Sequence, residues 1–209
     1  MRTVDDSNQE PPPIARTRAV EVFGNRFGRL FNDETVSPSG SPGNYLRWQW
    51  STSGVVVVPS GPAGVALVPM YRYALGTASL EFPRGARDPG EQAHETAVRE
   101  LREEAGLVAT SVHEVGMLHP ETGLIETPVH VYRAIVDPSQ SVAAQPETME
   151  SVCNPIWVPW GDLGSWLRAG RITCGVTLAA LTLAVAARHI DTAYPTDQPP
   201  ESESGLMQP

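Results

Sequence analysis

The sequence predicts helices packed on a β-sheet, of either α/β or α+β class. Three observations carry this. Short β-branched or alternating apolar runs recur, at 55–58, 64–73, 112–118 and 128–136. One segment, 91–105, has a strong helical pattern, and shorter helices are expected at 161–167 and 176–189. No segment repeats another.

Taken in order, the first 13 residues are polar and end in three prolines, and the stretch from 191 to 209 is rich in Pro, Glu and Ser. Segments 1–15 and 191–209 are therefore expected to be disordered. Residues 18–31 mix Val, Phe and Arg as strands do. Residues 37–44 (SPSGSPGN) read as a loop, and 45–50 alternate again, so a hairpin is expected at the front of the domain. The valines at 55–58 form a buried strand that Pro59 is expected to end. Pro69 marks an edge or bulge in the strand at 64–73. A short extended piece at 157–160 precedes the last two helices, and Leu178, Leu181 and Val185 share one stripe of the final one.

Composition excludes several classes of function. The chain has 209 residues and 22.5 kDa, enough for one domain and a small extension. Net charge is −9, and all 15 basic residues are Arg, which leaves little material for a nucleic-acid groove. Cys153 and Cys174 cannot build a disulfide framework, and a reduced, cytoplasmic compartment is the simpler expectation. The apolar run at 176–187 is too short to span a bilayer, and the amino terminus has no secretory apolar stretch. His94, His113, His119 and His130 show no metal-binding spacing.

The chemistry concentrates in residues 85–107, GARDPGEQAHETAVRELREEAGL. As a helix, 91–105 is expected to place Ala97, Val98, Leu101 and Ala105 on an apolar face and Glu100, Glu103 and Glu104 on the opposite side. Clustered carboxylates are what a hard divalent cation needs. Gly85, Glu91, Arg99, Glu100, Leu101, Glu103, Glu104, Gly106 and Leu107 fill every specified position of the Nudix box, G-x5-E-x7-R-E-U-x-E-E-x-G-U with U aliphatic. The chain therefore resembles the Nudix hydrolases, and the looser order of elements extends the likeness over about residues 16–190.

That resemblance implies an α/β/α sandwich with a mixed sheet, at 54–190, preceded by an N-terminal β-hairpin extension within 16–53 that serves dimerisation or substrate contact. It implies hydrolysis of a nucleoside diphosphate linked to another moiety, with Mg²⁺ or Mn²⁺. Glu100 and Glu104 would be the principal metal ligands, assisted by Glu103 and the backbone carbonyl of Arg84. Gly85, Glu91, Arg99 and Gly106 would hold the loop and helix together.

Met70-Tyr71-Arg72-Tyr73 followed by Glu81-Phe82-Pro83-Arg84-Gly85 resembles the ADP-ribose pyrophosphatase group, with Met70 where Gln is usual and Arg84 where Ala is usual. In that group's pattern Arg72 would bind the diphosphate, Glu81 would lie near nucleotide or metal, and the Arg84 side chain would meet a phosphate or solvent. Glu126, after the 119–123 loop, is a candidate for substrate or metal-water contact. Trp48 and Trp50, at alternate strand positions, would stack a base or pack a core or dimer interface. The general base would be Glu147 or Glu150. The expected partners are a small nucleoside diphosphate derivative and a second copy of the chain, with no nucleic acid and no membrane. The alternatives are a Nudix enzyme acting on another nucleoside-diphosphate-linked compound of specialised metabolism, and a non-catalytic nucleotide sensor.

Overall fold

The structure, a computed structural model, describes residues 10–187. In chain order its elements are β1 (Ala15–Arg18), β2 (Glu21–Asn25), β3 (Gly28–Val36), β4 (Pro42–Trp50), β5 (Gly54–Gly61), β6 (Gly64–Arg72), β7 (Thr77–Glu81), β8 (Arg84–Ala86) and α1 (Ala93–Ala105). They continue with β9 (Leu107–Leu118), β10 (Val129–Ser141), β11 (Ile156–Val158), α2 (Trp160–Arg168) and α3 (Gly175–Ala186). The expected helix end at 189 and the segments 1–9 and 191–209 lie outside the described residues.

The chain divides into two units. One comprises 10–53 with 119–128; the other comprises 54–118 with 129–187. In the first, β3 pairs along its whole length with β4, and β1 and β2 pair with successive halves of its other edge. The β3–β4 hairpin turns over 37–41, so β4 begins at Pro42, three residues before the expected strand. The 119–128 loop joins this unit through backbone pairing that its own sequence does not announce. Trp48 N–H donates to Leu124 O, and Glu126 N–H donates to Trp48 O.

The second unit is built on a mixed sheet of order β11-β6-β5-β10-β9, with β7 and β8 as added strands on β6 and β5. β10 runs parallel to β5 and antiparallel to β9. The four valines of β5 explain the layering. Side chains alternate across a strand, so Val55 and Val57 pack with Ala97, Leu101 and Ala105 of α1, and Val56 and Val58 pack with Ala180, Leu181 and Ala184 of α3. Each face thus has its own helix layer, the α/β/α sandwich.

Pro59 does not end β5, which continues to Gly61. Val57 N–H donates to Pro83 O on the β8 side, and residue 59 faces the same edge. There β8 pairing stops at Val56 and β6 pairing starts at Ser60, so the missing proline donor falls in the gap between partners.

A second correction concerns α1. Its buried residues are Thr96, Ala97, Glu100, Leu101, Glu104 and Ala105, and Val98 is 41% exposed. Seven residues on an α-helix return to within about 20° of the starting direction, so Glu104 lies beneath the same stripe as Ala97. Glu100 and Glu104 point inward beside the apolar face, not away from it.

Candidate active site

Helix α1 opens at Gln92, whose N–H donates to Glu95 Oε2 at 2.8 Å, and closes at Gly106. Gly106 adopts φ 62°, the left-handed conformation that glycine takes without strain. A Cβ there would also stand 2.4 Å from Val142 O. Beyond it the 142–150 segment is strapped to the helix end, since Val142 N–H donates to Gly106 O and Gln145 N–H to Glu103 O.

Arg99 is the organiser of the helix's acidic residues. Its guanidinium meets Glu91 (3.0 and 3.1 Å), Glu100 (2.7 Å), Glu103 (2.9 Å) and the carbonyl of Ala86 (2.9 Å). Glu91 also accepts from Asp88 N–H and Thr96 Oγ1. Hydrogen bonding from Arg99 outweighs burial and pulls the Glu91 carboxyl down to about 2. Hydrogen bonding to Glu91, joined by the charge of Glu100, outweighs burial and holds Arg99 above the usual arginine range.

Glu100 and Glu104 are treated differently. Glu104 is 2% exposed, and the hydrogen bond it accepts is from the Arg84 backbone N–H at 2.7 Å. Burial pushes its carboxyl up to about 8, and the charges of Glu100 and Glu150 add to this. Burial likewise pushes Glu100 up to about 7 despite its contact with Arg99. Gly85 lies over Glu100 so closely that a Cβ would fall 2.0 Å from Oε1. A side chain at 85 would displace that carboxylate. Glu103 is one-third exposed and rests on Arg99. Among the described residues, no three His, Cys, Asp or Glu side chains are drawn together tightly enough to hold a metal on their own.

Beside this pair stands Glu81, also 2% exposed. Arg72 grips it with Nε (3.1 Å) and Nη2 (2.7 Å), and Arg84 Nη2 lies 2.9 Å from the same Oε2. Burial alone would raise the Glu81 carboxyl, but the hydrogen bonds from Arg72 and the charge of Arg84 hold it below the usual range. Met70, which stands where Gln is usual in the resembled group, turns its sulfur to Arg72 Nη2 at 2.7 Å.

The nine box positions thus form a loop and helix that bury Glu100 under Gly85 and Glu104 under the Arg84 backbone and tie Glu91 to Arg99, and the NUDIX domain matches residues 50–173. The chain belongs to the Nudix family. It is thus an enzyme, a hydrolase of a family acting on pyrophosphate bonds. A CMP-5'-(N-acetyl-N-hydroxy-3-aminopropyl)phosphonate hydrolase of Streptomyces rubellomurinus is 26% identical over 163 residues, 78% of each chain. An ADP-ribose pyrophosphatase of Mycobacterium tuberculosis is 28% identical over 151 residues, 71% of this chain and 70% of that one. A crystal structure of an ADP compounds hydrolase has the same fold, with a TM-score of 0.70 over 85% of this chain and 95% of that one at 20% identity.

Around the Nudix box the other expected residues fall in two places. Glu150 belongs to the box's own unit. Its side chain accepts from Glu147 N–H at 2.8 Å, and its charge acts on both Glu100 and Glu104. Trp48, Trp50 and Glu126 belong to the N-terminal unit. The two indoles meet edge to face at 5.3 Å, with Trp50 exposed and the indole Nε1–H of Trp48 buried without a partner. Glu126 pairs with Arg47, which also grips buried Asp33 at 3.0 Å and lies over Phe31. Sequence reasoning missed Arg47; its signal was an arginine set between Leu46 and Trp48 in an alternating strand.

Proposed function

We propose that this Nudix hydrolase cleaves the diphosphate bond of ADP-ribose or a related nucleoside diphosphate sugar, giving a nucleoside monophosphate and a sugar phosphate, with Mg²⁺ as cofactor and Mn²⁺ able to substitute. The observation that carries the reading is the buried pair Glu100 and Glu104, short of compensating positive charge. Such a pair is neutralised either by protons or by a cation. The donor set suits a hard divalent ion, which takes one or two carboxylates and fills its remaining positions with water, carbonyl and phosphate oxygens. A ready-made triad is not required. Glu100, Glu104 and the Arg84 carbonyl would hold the ion, and Glu103 would assist. When bound, the ion supplies charge neutralisation at the diphosphate and makes water easier to deprotonate.

The chain's own residues do the rest. Arg72 orients the diphosphate with its planar fork of donors. Glu150 receives the proton of the attacking water; its electrostatic reach to Glu100 and Glu104 supports this choice, and Glu147 contributes the N–H that orients it. Glu91 and Arg99 keep the helix and loop in register. Trp48, Trp50 and Glu126 are assigned to the base and sugar on their chemistry, an exposed indole face and a loop carboxylate. A homodimer is supported by the apolar exposure of the N-terminal unit, where Val22, Phe23, Phe27, Tyr45 and Leu46 are all exposed. A cytoplasmic location fits two free cysteines. No helix among the described residues is long and apolar enough to cross a membrane.

The similarity to the Streptomyces enzyme favours one second reading, in which the same site cleaves a nucleotide joined to a phosphonate. A panel of ADP-ribose, nucleotide sugars, dinucleotides, nucleoside triphosphates and a CMP-phosphonate, assayed for products, separates the two. Glu104→Gln is expected to lower kcat by several orders of magnitude on the preferred substrate while substrate binding is largely kept. Unchanged turnover removes α1 from the mechanism.

A further inference from the structure

Arg84 departs from the resemblance that first pointed to this site, and the structure gives it a definite place. Arg72 turns Nε and Nη2 together onto Glu81, the bidentate arrangement in which one guanidinium and one carboxylate cancel. Arg84 then brings a second guanidinium to the same Glu81 oxygen. Two guanidiniums share one carboxylate, so Glu81 balances Arg72 and leaves Arg84 without a carboxylate of its own, while the charge of Glu104 also acts on Arg72. Both arginine side chains remain about three-tenths exposed, at 31% and 30%, although the carboxylate between them is buried. The Arg84 backbone N–H meanwhile holds Glu104 at 2.7 Å, which fixes residue 84 beside the carboxylate pair. The amino end of α3 packs against the same stretch, where Phe82 N–H donates to Thr177 Oγ1 at 3.1 Å.

We infer that Arg84 is a substrate-binding residue that supplies a second guanidinium for the diphosphate oxygens, with Glu81 as the post that aims Arg84 and Arg72 at the same anion. This rests on the proposed diphosphate chemistry of the site but concerns binding and not turnover. A neutral Arg72–Glu81 pair alone would orient a diphosphate without attracting it. The second guanidinium supplies the attraction, and its partial exposure keeps donors available to the ligand.

The test uses inorganic pyrophosphate as the probe, titrated calorimetrically into the full chain in EDTA, so that neither metal nor turnover is involved. Wild type is expected to bind, and Arg84→Ala is expected to lose about ten- to a hundredfold in affinity, the scale of one charge-assisted contact. Arg84→Lys should regain part of the loss, because the charge returns without the fork. Arg84→Gln, which keeps the side-chain length, serves if the alanine variant does not fold. With Mg²⁺ and the preferred substrate, the loss should fall mainly on KM. Failure of wild type to bind pyrophosphate overturns the inference, as does a folded Arg84→Ala or Arg84→Gln with unchanged affinity. A fall confined to kcat overturns it too, since Arg84 would then only position the loop. Should every panel substrate resist hydrolysis while pyrophosphate affinity still depends on Arg84, the functional reading fails and this assignment stands.

Discussion

At the amino end of the box helix, Glu91 is surrounded by donors: two contacts from Arg99, a backbone N–H from Asp88 and the Thr96 hydroxyl. Near the carboxyl end, Glu104 is more deeply buried and is met by a single backbone N–H. The same side chain is thus driven in opposite directions, down to about 2 in one place and up to about 8 in the other. The difference separates a glutamate that fastens structure from one that, on the proposed reading, would take a cation. Compensation decides the matter: charge already balanced by the fold stabilises it, and charge left unbalanced is available to a ligand.

The strongest way to break this contrast is to remove the residue that creates it. Arg99→Ala strips the partner from Glu91, Glu100 and Glu103 together, and a loss of about 3 kcal/mol in unfolding free energy is expected by urea denaturation. A loss below about 1 kcal/mol would mean that Glu91 is no better balanced than Glu104.

Next, Glu91→Gln should cost about 2 kcal/mol at pH 7, because the depressed pKa is itself a stabilisation. It is present above about pH 4.5 and is lost as pH falls toward 2. Glu104→Gln in metal-free protein at pH 9 should be neutral or stabilising, since it removes an unbalanced buried charge. Equal losses in both variants would erase the distinction.

The smallest effect is that of a metal ion, set against a pH dependence of the metal-free protein. Glu100 and Glu104 have folded pKa values above the unfolded value of 4.5, so their contribution is full below about pH 4.5 and is lost as pH rises through about 7 and 8. Metal-free protein should therefore lose thermal stability from pH 6 to pH 9. Mg²⁺ at ten times its Kd should restore about 1.4 kcal/mol. Its apparent affinity should rise with pH, and proton release should appear in calorimetry with buffers of different ionisation enthalpy. Tm gains independent of pH would place the ion elsewhere.

How much of this was legible in the sequence depended on whether a feature is local. The box could be read because nine identities at fixed spacing describe one loop and one helix. The close approach of Gly85 to the Glu100 carboxylate could not. The helix face was misread because glutamates were grouped by spacing alone; the angular position of Glu104 relative to Ala97 puts it inside. Pro59 was given its usual role as a strand end, and only the change of partner along β5 shows why the strand tolerates it. The association of 119–128 with Trp48 rests on backbone pairing between distant segments, which no local pattern encodes. Arg84 was recognised as unusual, but its position on Glu81 depends on where β7 ends and β8 begins.

The 142–150 strap on the end of α1 has one more consequence. It is fastened by main-chain donors and acceptors at Val142 and Gln145, so its anchorage owes nothing to which side chains it carries. Side-chain substitutions along this stretch would leave those moorings in place. Only an insertion between the moorings, or a bulkier residue in place of Gly106, would set it adrift.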